Sequence, residues 1–332
     1  MKNKLPGNRP AQWSFLEALA IQAGICAIGV SPADAVPPEV SDRFRGWLDK
    51  GSHASMRYME KWPSLRHDPR DGGLIKNPTA IISAAFSCAD GIHRNGTWSL
   101  LCAHARAKDY HITLKNRLSI VAAGIRTAFP TANMRLCVDS APVMERTWAV
   151  LCGLGTIGRS GALLVPGIGP RVLLGEIICG GVALPDNVVP STKDIPSPCA
   201  HCHACVDACP TGALDGTGMV KSGLCLAYHS VENPAAALPE NINAAMDSLF
   251  GCDICTTVCP LRNTSAACSL DPVPTPSLAP DSLEELLALQ EGELIHCFTE
   301  TGLQRTGELS IRRNGKAILD NRRHRQSDER RK

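Results

Sequence analysis

Apolar positions recur at both helical and strand periods through the first part of the chain, so the pattern predicts mixed helices and strands. Ser14-Phe15-Leu16-Glu17 has the form of a capping box ahead of an apolar run, and Gly24 is placed to end the helix it opens. Ile25–Val30 then reads as a buried strand, and Ser41–Lys50 as a helix. Ala80–Ser87 (AIISAAFS) is an unbroken run of strand length, as expected where both faces are covered. Lys108–Arg126 places Leu114, Leu118, Val121 and Ile125 on one helical face. Arg135–Val138 and Val172–Cys179 read as two more strands. Pro185, Pro190, Pro196 and Pro198 mark a linker, and a second proline-rich stretch spans Asp271–Pro280. Ser282-Leu283-Glu284-Glu285 is a further capping box, opening a helix through about Leu289. The polar, basic end of the chain reads as helix that frays.

At 332 residues the chain can hold two domains, or one large domain with an insertion. Its 44% apolar and 20% charged content is that of a soluble globular protein, and a net charge of +2 gives no overall field toward nucleic acid. Lys2, Lys4 and Arg9 ahead of the apolar stretch Ala18–Val30 imitate a signal peptide, but the capping box and Gly24 favour helix, glycine, strand. No apolar run reaches the length of a membrane span without a charge or a breaker.

Cysteine changes the picture. Of the 16 cysteines, Cys199, Cys202, Cys205 and Cys209-Pro210 follow the ferredoxin spacing C-x₂-C-x₂-C-x₃-C-P, in which the fourth thiolate ligates the other cluster of a pair. Cys252, Cys255 and Cys259-Pro260 form a second group, with Cys225 alone between. Together with Cys225 the two groups supply the eight thiolates that two 4Fe–4S clusters require. Zinc is the alternative, since C-x₂-C pairs also suit zinc ribbons, but it would use only four of them. Cys26, Cys88, Cys102, Cys137, Cys152, Cys179, Cys268 and Cys297 are scattered, and most read as small buried hydrophobes. Clusters need a reducing compartment, so a cytoplasmic protein is expected rather than a disulfide-bonded secreted one.

Gly153-Leu154-Gly155-Thr156-Ile157-Gly158 matches a dinucleotide fingerprint. Trp148–Cys152 could serve as its strand, but Gly161, Pro166, Gly167 and Gly169 allow no helix after it, and that helix is what holds a pyrophosphate. The glycines fit a tight turn, or a close approach to something flat. Asp139-Ser140 lies between a strand and a helical segment containing Glu145. Asp139 either caps that helix or faces a cleft as a proton donor.

Several motifs in order resemble the epoxyqueuosine reductase family: Val138–Arg146 (VDSAPVMER), Cys152–Arg159, Leu174–Ile177 (LGEI) and Gly251–Pro260. Met56-Arg57-Tyr58-Met59, Lys108-Asp109-Tyr110-His111 and Tyr228–Glu232 add to the likeness, which runs from about residue 12 to 320. Thr156, Arg159 and Leu261-Arg262 depart from the family pattern, and the sequence ends at Lys332, as in the short members without a helical-repeat extension.

The resemblance implies an α+β protein. Residues 1–190 would form an α/β cobalamin-binding domain like those of nitroreductases and reductive dehalogenases, 191–265 a two-cluster ferredoxin-like domain, and 266–332 a short helical region with a basic tail. It implies reduction of epoxyqueuosine to queuosine in the anticodon wobble position of tRNA, with two 4Fe–4S clusters and cobalamin as cofactors. Asp139 would be the proton donor, its pKa raised by a partly dry pocket. By ferredoxin wiring Cys199, Cys202, Cys205 and Cys259 would hold one cluster, and Cys209, Cys225, Cys252 and Cys255 the other. Arg66, Cys102, Tyr110, Asp139, Arg159 and Tyr228 would lie against the cobalamin. The expected partners are tRNA and an electron donor such as ferredoxin or flavodoxin, for a monomer that touches no membrane. Arg312, Arg313, Lys316, Arg322 and Arg323 could meet phosphates, or simply form a solvated end. The competing readings are a small-molecule corrinoid reductase and a simple electron carrier.

Overall fold

The computed structural model describes residues 13–88, 95–183, 199–273 and 279–329. Lys2, Lys4, Arg9, the four linker prolines, the middle of the Asp271–Pro280 stretch and the last three residues lie outside the described residues.

Helix α1 (Phe15–Gln22) leads into β1 (Ala27–Pro32), followed by α2 (Pro38–Asp49) and α3 (Pro63–His67). Next come β2 (Pro78–Ser87), α4 (Tyr110–Ala128), β3 (Asn133–Cys137) and α5 (Glu145–Leu151). A small hairpin of β4 (Thr156–Ile157) and β5 (Leu163–Leu164) precedes β6 (Val172–Gly180). The main sheet has the order β1-β2-β6-β3, with every neighbouring pair antiparallel. All four predicted strands occur, with ends moved by one or two residues.

The unbroken apolar run of β2 is explained by cover on both faces. Ala80, Ile82, Ala84 and Phe86 point into the core beneath α1 and α4. Ile81 packs toward Trp148 and Leu151 of α5, and Ala85 toward Ala149. Burial of Phe86 or Ile82, both 0% exposed, contributes about 1.5–3 kcal/mol each.

Ser14 does not cap α1 through its side chain, because it already has helical dihedrals (φ −57°, ψ −26°), and only its carbonyl reaches the Glu17 amide. Gly24 ends the helix as expected, at φ +65°.

Trp148–Cys152 is not a strand. The segment is helical in α5, where Trp148, Ala149 and Leu151 are buried against the sheet. No helix follows Gly158, and a Cβ on Gly155 would lie 2.1 Å from the Leu164 carbonyl oxygen. That glycine serves the close packing of the β4–β5 hairpin.

The cysteine segment carries α6 (Ala204–Asp207), α7 (Leu226–Val231), α8 (Glu240–Ala245) and α9 (Ile254–Thr257). In both C-x₃-C-P runs one helical turn, α6 or α9, separates the last two cysteines. After these come α10 (Leu283–Ala288), α11 (Glu293–His296) and α12 (Glu308–Glu329). Ser282 caps α10, its Oγ accepting from the Glu285 amide at 3.2 Å.

The C-terminal helices share one apolar core with residues 98–105 and with α7 and α8, through Leu101, Leu226, Ile242, Phe250, Phe298 and Ile318. Two of the basic residues suggested for phosphates face this body instead. Arg313 donates to the Asn233 carbonyl at 2.9 Å, and Arg312 to the Leu287 carbonyl at 2.9 Å. Lys316, Arg322 and Arg323 remain exposed.

Candidate functional site

The two cysteine groups lie close to each other. Cys199 and Cys202 are the charged neighbours of both Cys205 and Cys259. Cys255 has Cys252, Cys225 and Cys209 around it, with Cys205 as the link to the other four. A zinc site would draw four sulfurs to about 2.3 Å of one point. Among the described residues no three His, Cys, Asp or Glu side chains converge on a single ion. A cubane instead takes one sulfur at each of its four irons. The sulfurs also meet donors. Burial opposes the Cys209 thiolate, but the amides of Thr211, Ala213 and Leu214 and the Thr211 hydroxyl hold its pKa below the usual thiol value. Such hydrogen bonds to sulfur are one of the levers that set a cluster's potential.

A cavity of about 830 Å³ opens beside this module. Its walls include Phe44 and Trp47 of α2, Tyr58 and Trp62 of the next loop, the Asp139–Leu151 segment, and Met219, Val220 and Ser222 of the cysteine segment. Ser222 stands three residues before Cys225, so one wall belongs to the chain that carries the nearer set of thiols. The size is at the upper end for small-molecule sites, about 300–1,000 Å³, and the mixture of apolar and titratable walls suits a large, partly apolar cofactor with a reacting group above it.

Asp139 lies where β3 gives way to the loop before α5, in the left-handed region at φ +58°. Its Oδ2 accepts from the Tyr110 hydroxyl at 3.0 Å and lies 3.1 Å from His111 Nε2. On its other side His111 Nδ1 is 2.7 Å from Asp109 Oδ1, and Arg305 donates to Asp109 Oδ2 at 3.0 Å. Asp109 also caps α4, accepting the His111 amide at 3.0 Å. One acid thus fixes both the backbone and the ring of His111.

The expected raised pKa of Asp139 is reversed. Its hydrogen bond with His111 outweighs desolvation and holds the carboxyl below the usual carboxylate range. Burial works against the charged form of His111, but bonds to Asp139 and Asp109 raise its pKa overall. The proton therefore rests on His111, between two carboxylates. Two acids of the cavity are raised instead: Glu145, which burial pushes up to about 7 and whose Oε1 accepts the Asp139 amide at 2.5 Å, and Glu232, raised by burial and the Asp139 charge. Glu145 lines the same cavity. Neither His111 nor Glu145 was singled out from sequence. The signal was present in VDSAPVMER and KDYH, where each follows an acid within a few residues.

Of the residues expected at the cobalamin, Arg66 and Asp139 line the cavity. Arg66 is 8% exposed and donates to the carbonyls of Lys61 and Tyr58, both at 3.2 Å. Tyr110 acts from behind Asp139, and Tyr228 bonds Ser55 Oγ at 2.6 Å. Arg159 is turned to the first cysteine loop, donating to the Cys199 carbonyl at 2.9 Å and the Gly216 carbonyl at 3.2 Å. Cys102 is buried, its Sγ near His104 Nδ1 at 3.4 Å and packed where Gly251 has no Cβ.

Residues 198–262 match a family described as "4Fe-4S double cluster binding domain". Fold and site together define a two-cluster iron–sulfur oxidoreductase with an α+β body. An epoxyqueuosine reductase of Cyclobacterium marinum is 32% identical over 254 residues, covering 76% of this chain and 79% of that protein. One of Gloeobacter violaceus is 29% identical over 324 residues, covering 92% and 94%. A crystal structure of epoxyqueuosine reductase with a tRNA-Tyr epoxyqueuosine-modified tRNA stem loop superposes with a TM-score of 0.78 at 25% identity, covering 93% of this chain and 82% of that one. The chain belongs to the epoxyqueuosine reductase family. Among the described residues no helix is long and apolar enough to cross a membrane.

Proposed function

We propose that the protein reduces epoxyqueuosine to queuosine in the anticodon wobble position of tRNA. The reaction takes two electrons and two protons, opens the epoxide and releases its oxygen as water. Bound cobalamin and the two 4Fe–4S clusters supply the reducing chemistry. Cys199, Cys202, Cys205 and Cys259 would hold one cluster, and Cys209, Cys225, Cys252 and Cys255 the other. Arg66 and Asp139 would face the cobalamin from the cavity wall. Tyr110, Tyr228, Cys102 and Arg159 would support that wall and the cluster loop from behind. Residues 1–190 would then be the catalytic domain, 191–265 the cluster domain and 266–332 the helical C-terminal region.

The observation that carries this reading is Asp139, hydrogen-bonded to His111, on the wall of a cavity that the cysteine segment also lines. The proton held on His111, whose ring Asp109 holds in line, passes through the Asp139 carboxylate to the departing oxygen. Glu145, half protonated near neutral pH, is placed to hold the second proton. Tyr110 stays protonated, because burial and the Asp139 carboxylate raise its pKa far above the ordinary value, so it serves as a fixed donor that orients the acid. The protein would work as a cytoplasmic monomer fed by a ferredoxin or flavodoxin.

The test is anaerobic turnover of protein reconstituted with iron, sulfide and cobalamin, using a chemical reductant and epoxyqueuosine-containing tRNA. Digested nucleosides should lose the mass of one oxygen. Unchanged nucleosides from fully loaded protein would overturn the substrate, while reduction of an organohalide under the same conditions would favour a small-molecule reductase.

A further inference from the structure

Two large aromatic side chains stay exposed where most of their kind are buried. Tyr58 is 47% and Trp62 65% exposed, and both line the mouth of the cavity. Among the described residues, the remaining exposed large apolar side chains are all aliphatic. Trp62 is also strained. It has left-handed dihedrals (φ 58°, ψ 49°), which a bulky residue rarely adopts, and it precedes Pro63, which favours an extended conformation instead. Strain that persists in an exposed residue points to function.

The segment is held from beneath. The buried Arg66 guanidinium ties down the carbonyls of Tyr58 and Lys61, and the Arg66 amide bonds the Trp62 carbonyl at 3.0 Å. This fixes the loop with both rings at the cavity mouth before any ligand arrives. The neighbouring charges suit a polyanion: Arg57 and Lys61 are exposed, while Glu60 is turned to His53 at 2.8 Å.

We propose that Tyr58 and Trp62 form a stacking shelf for unpaired RNA bases next to the nucleotide that enters the cavity, with Arg57 and Lys61 facing the backbone. Bases splayed from a loop are recognised by aromatic stacking, which tolerates any base because each has a π-face. The proposal rests on the tRNA reading above, and deepens it by naming the side chains that hold the loop.

The experiment compares Trp62→Asn and Trp62→Phe in the fully loaded protein, using an anticodon stem-loop RNA carrying epoxyqueuosine. Asparagine accepts left-handed dihedrals, so Trp62→Asn relieves strain while removing the ring. We expect the stem-loop Kd to rise roughly five- to a hundredfold in Trp62→Asn and to stay near wild type in Trp62→Phe. Cobalamin content should be unchanged, and thermal unfolding should come no earlier than in wild type. An unchanged Kd for Trp62→Asn overturns the shelf, even if wild type makes queuosine. A fall in cobalamin content with unchanged RNA affinity also overturns it, and assigns Trp62 to the cofactor. If wild type binds the RNA through Trp62 but makes no queuosine, the shelf stands and the reductase reading falls.

Discussion

Asp109→Asn changes one charge and leaves the shape of the site in place. Asparagine caps a helix as well as aspartate does, so α4 should keep its start. What is lost is the negative charge 2.7 Å from His111 Nδ1. Both partners are largely buried, with side chains 11% and 8% exposed, so solvent screens the pair little. A hydrogen bond to a charged group contributes about 1.5–3 kcal/mol. At about 1.36 kcal/mol per pKa unit, His111 should fall by about 1–2 units. The sign follows from the raised pKa of His111: its proton is present at low pH and lost as pH rises through that pKa. Turnover needs that proton to pass through Asp139, so the rate should fall on the alkaline side. In Asp109→Asn that fall should move about 1–2 pH units toward acid, and the rate should return to wild type below it. The assay is the rate of queuosine formation against pH at saturating tRNA. An alkaline fall that stays in place in the variant would refute the relay.

Glu145→Gln should be more stable than wild type above about pH 7 and equal to it below the ordinary carboxyl range. A raised folded-state pKa means stability is lost as pH rises through about 7, and the amide does not titrate. Denaturant midpoints at several pH values measure this. Gly155→Ala should destabilise the protein by about 1–3 kcal/mol, because the new Cβ would sit 2.1 Å from the Leu164 carbonyl oxygen in a backbone that cannot yield easily. Unfolding in urea reads it, and an unchanged midpoint would return the glycine motif to a ligand role. Cys259→Ala should halve the iron content, leaving about one cluster with its ligands Cys209, Cys225, Cys252 and Cys255. Loss of all iron, or none, would contradict the crossed wiring.

Local pattern made much of the architecture readable. AIISAAFS was long enough for a strand and too apolar for an exposed one, and the face of α4 was visible in Leu114, Leu118, Val121 and Ile125. Cysteine spacing gave the clusters, because ligand geometry is written directly in chain distance. The failures share one cause, which is distance along the chain. Trp148–Cys152 is helical because the sheet buries it, and its apolar run alone did not decide between helix and strand. The protonation of Asp139 depends on His111, 28 residues away, and on an ion pair from Asp109 to Arg305, 196 residues away. The hydrogen bond of Arg159 to the Cys199 carbonyl, 40 residues on, was likewise not visible in its local sequence. Desolvation of Asp139 could be guessed from a cleft, whereas the charge standing beside it could not.

The most direct test of the central claim is a single-turnover comparison of wild type and Asp139→Asn, each carrying measured amounts of iron, sulfide and cobalamin, on epoxyqueuosine-containing tRNA. With equal cofactor loading, wild type should form queuosine and the variant should form none, or at least about a hundredfold less. Equal rates from the two proteins would contradict the account, since the reducing chemistry would then proceed without the acid around which this cavity is built.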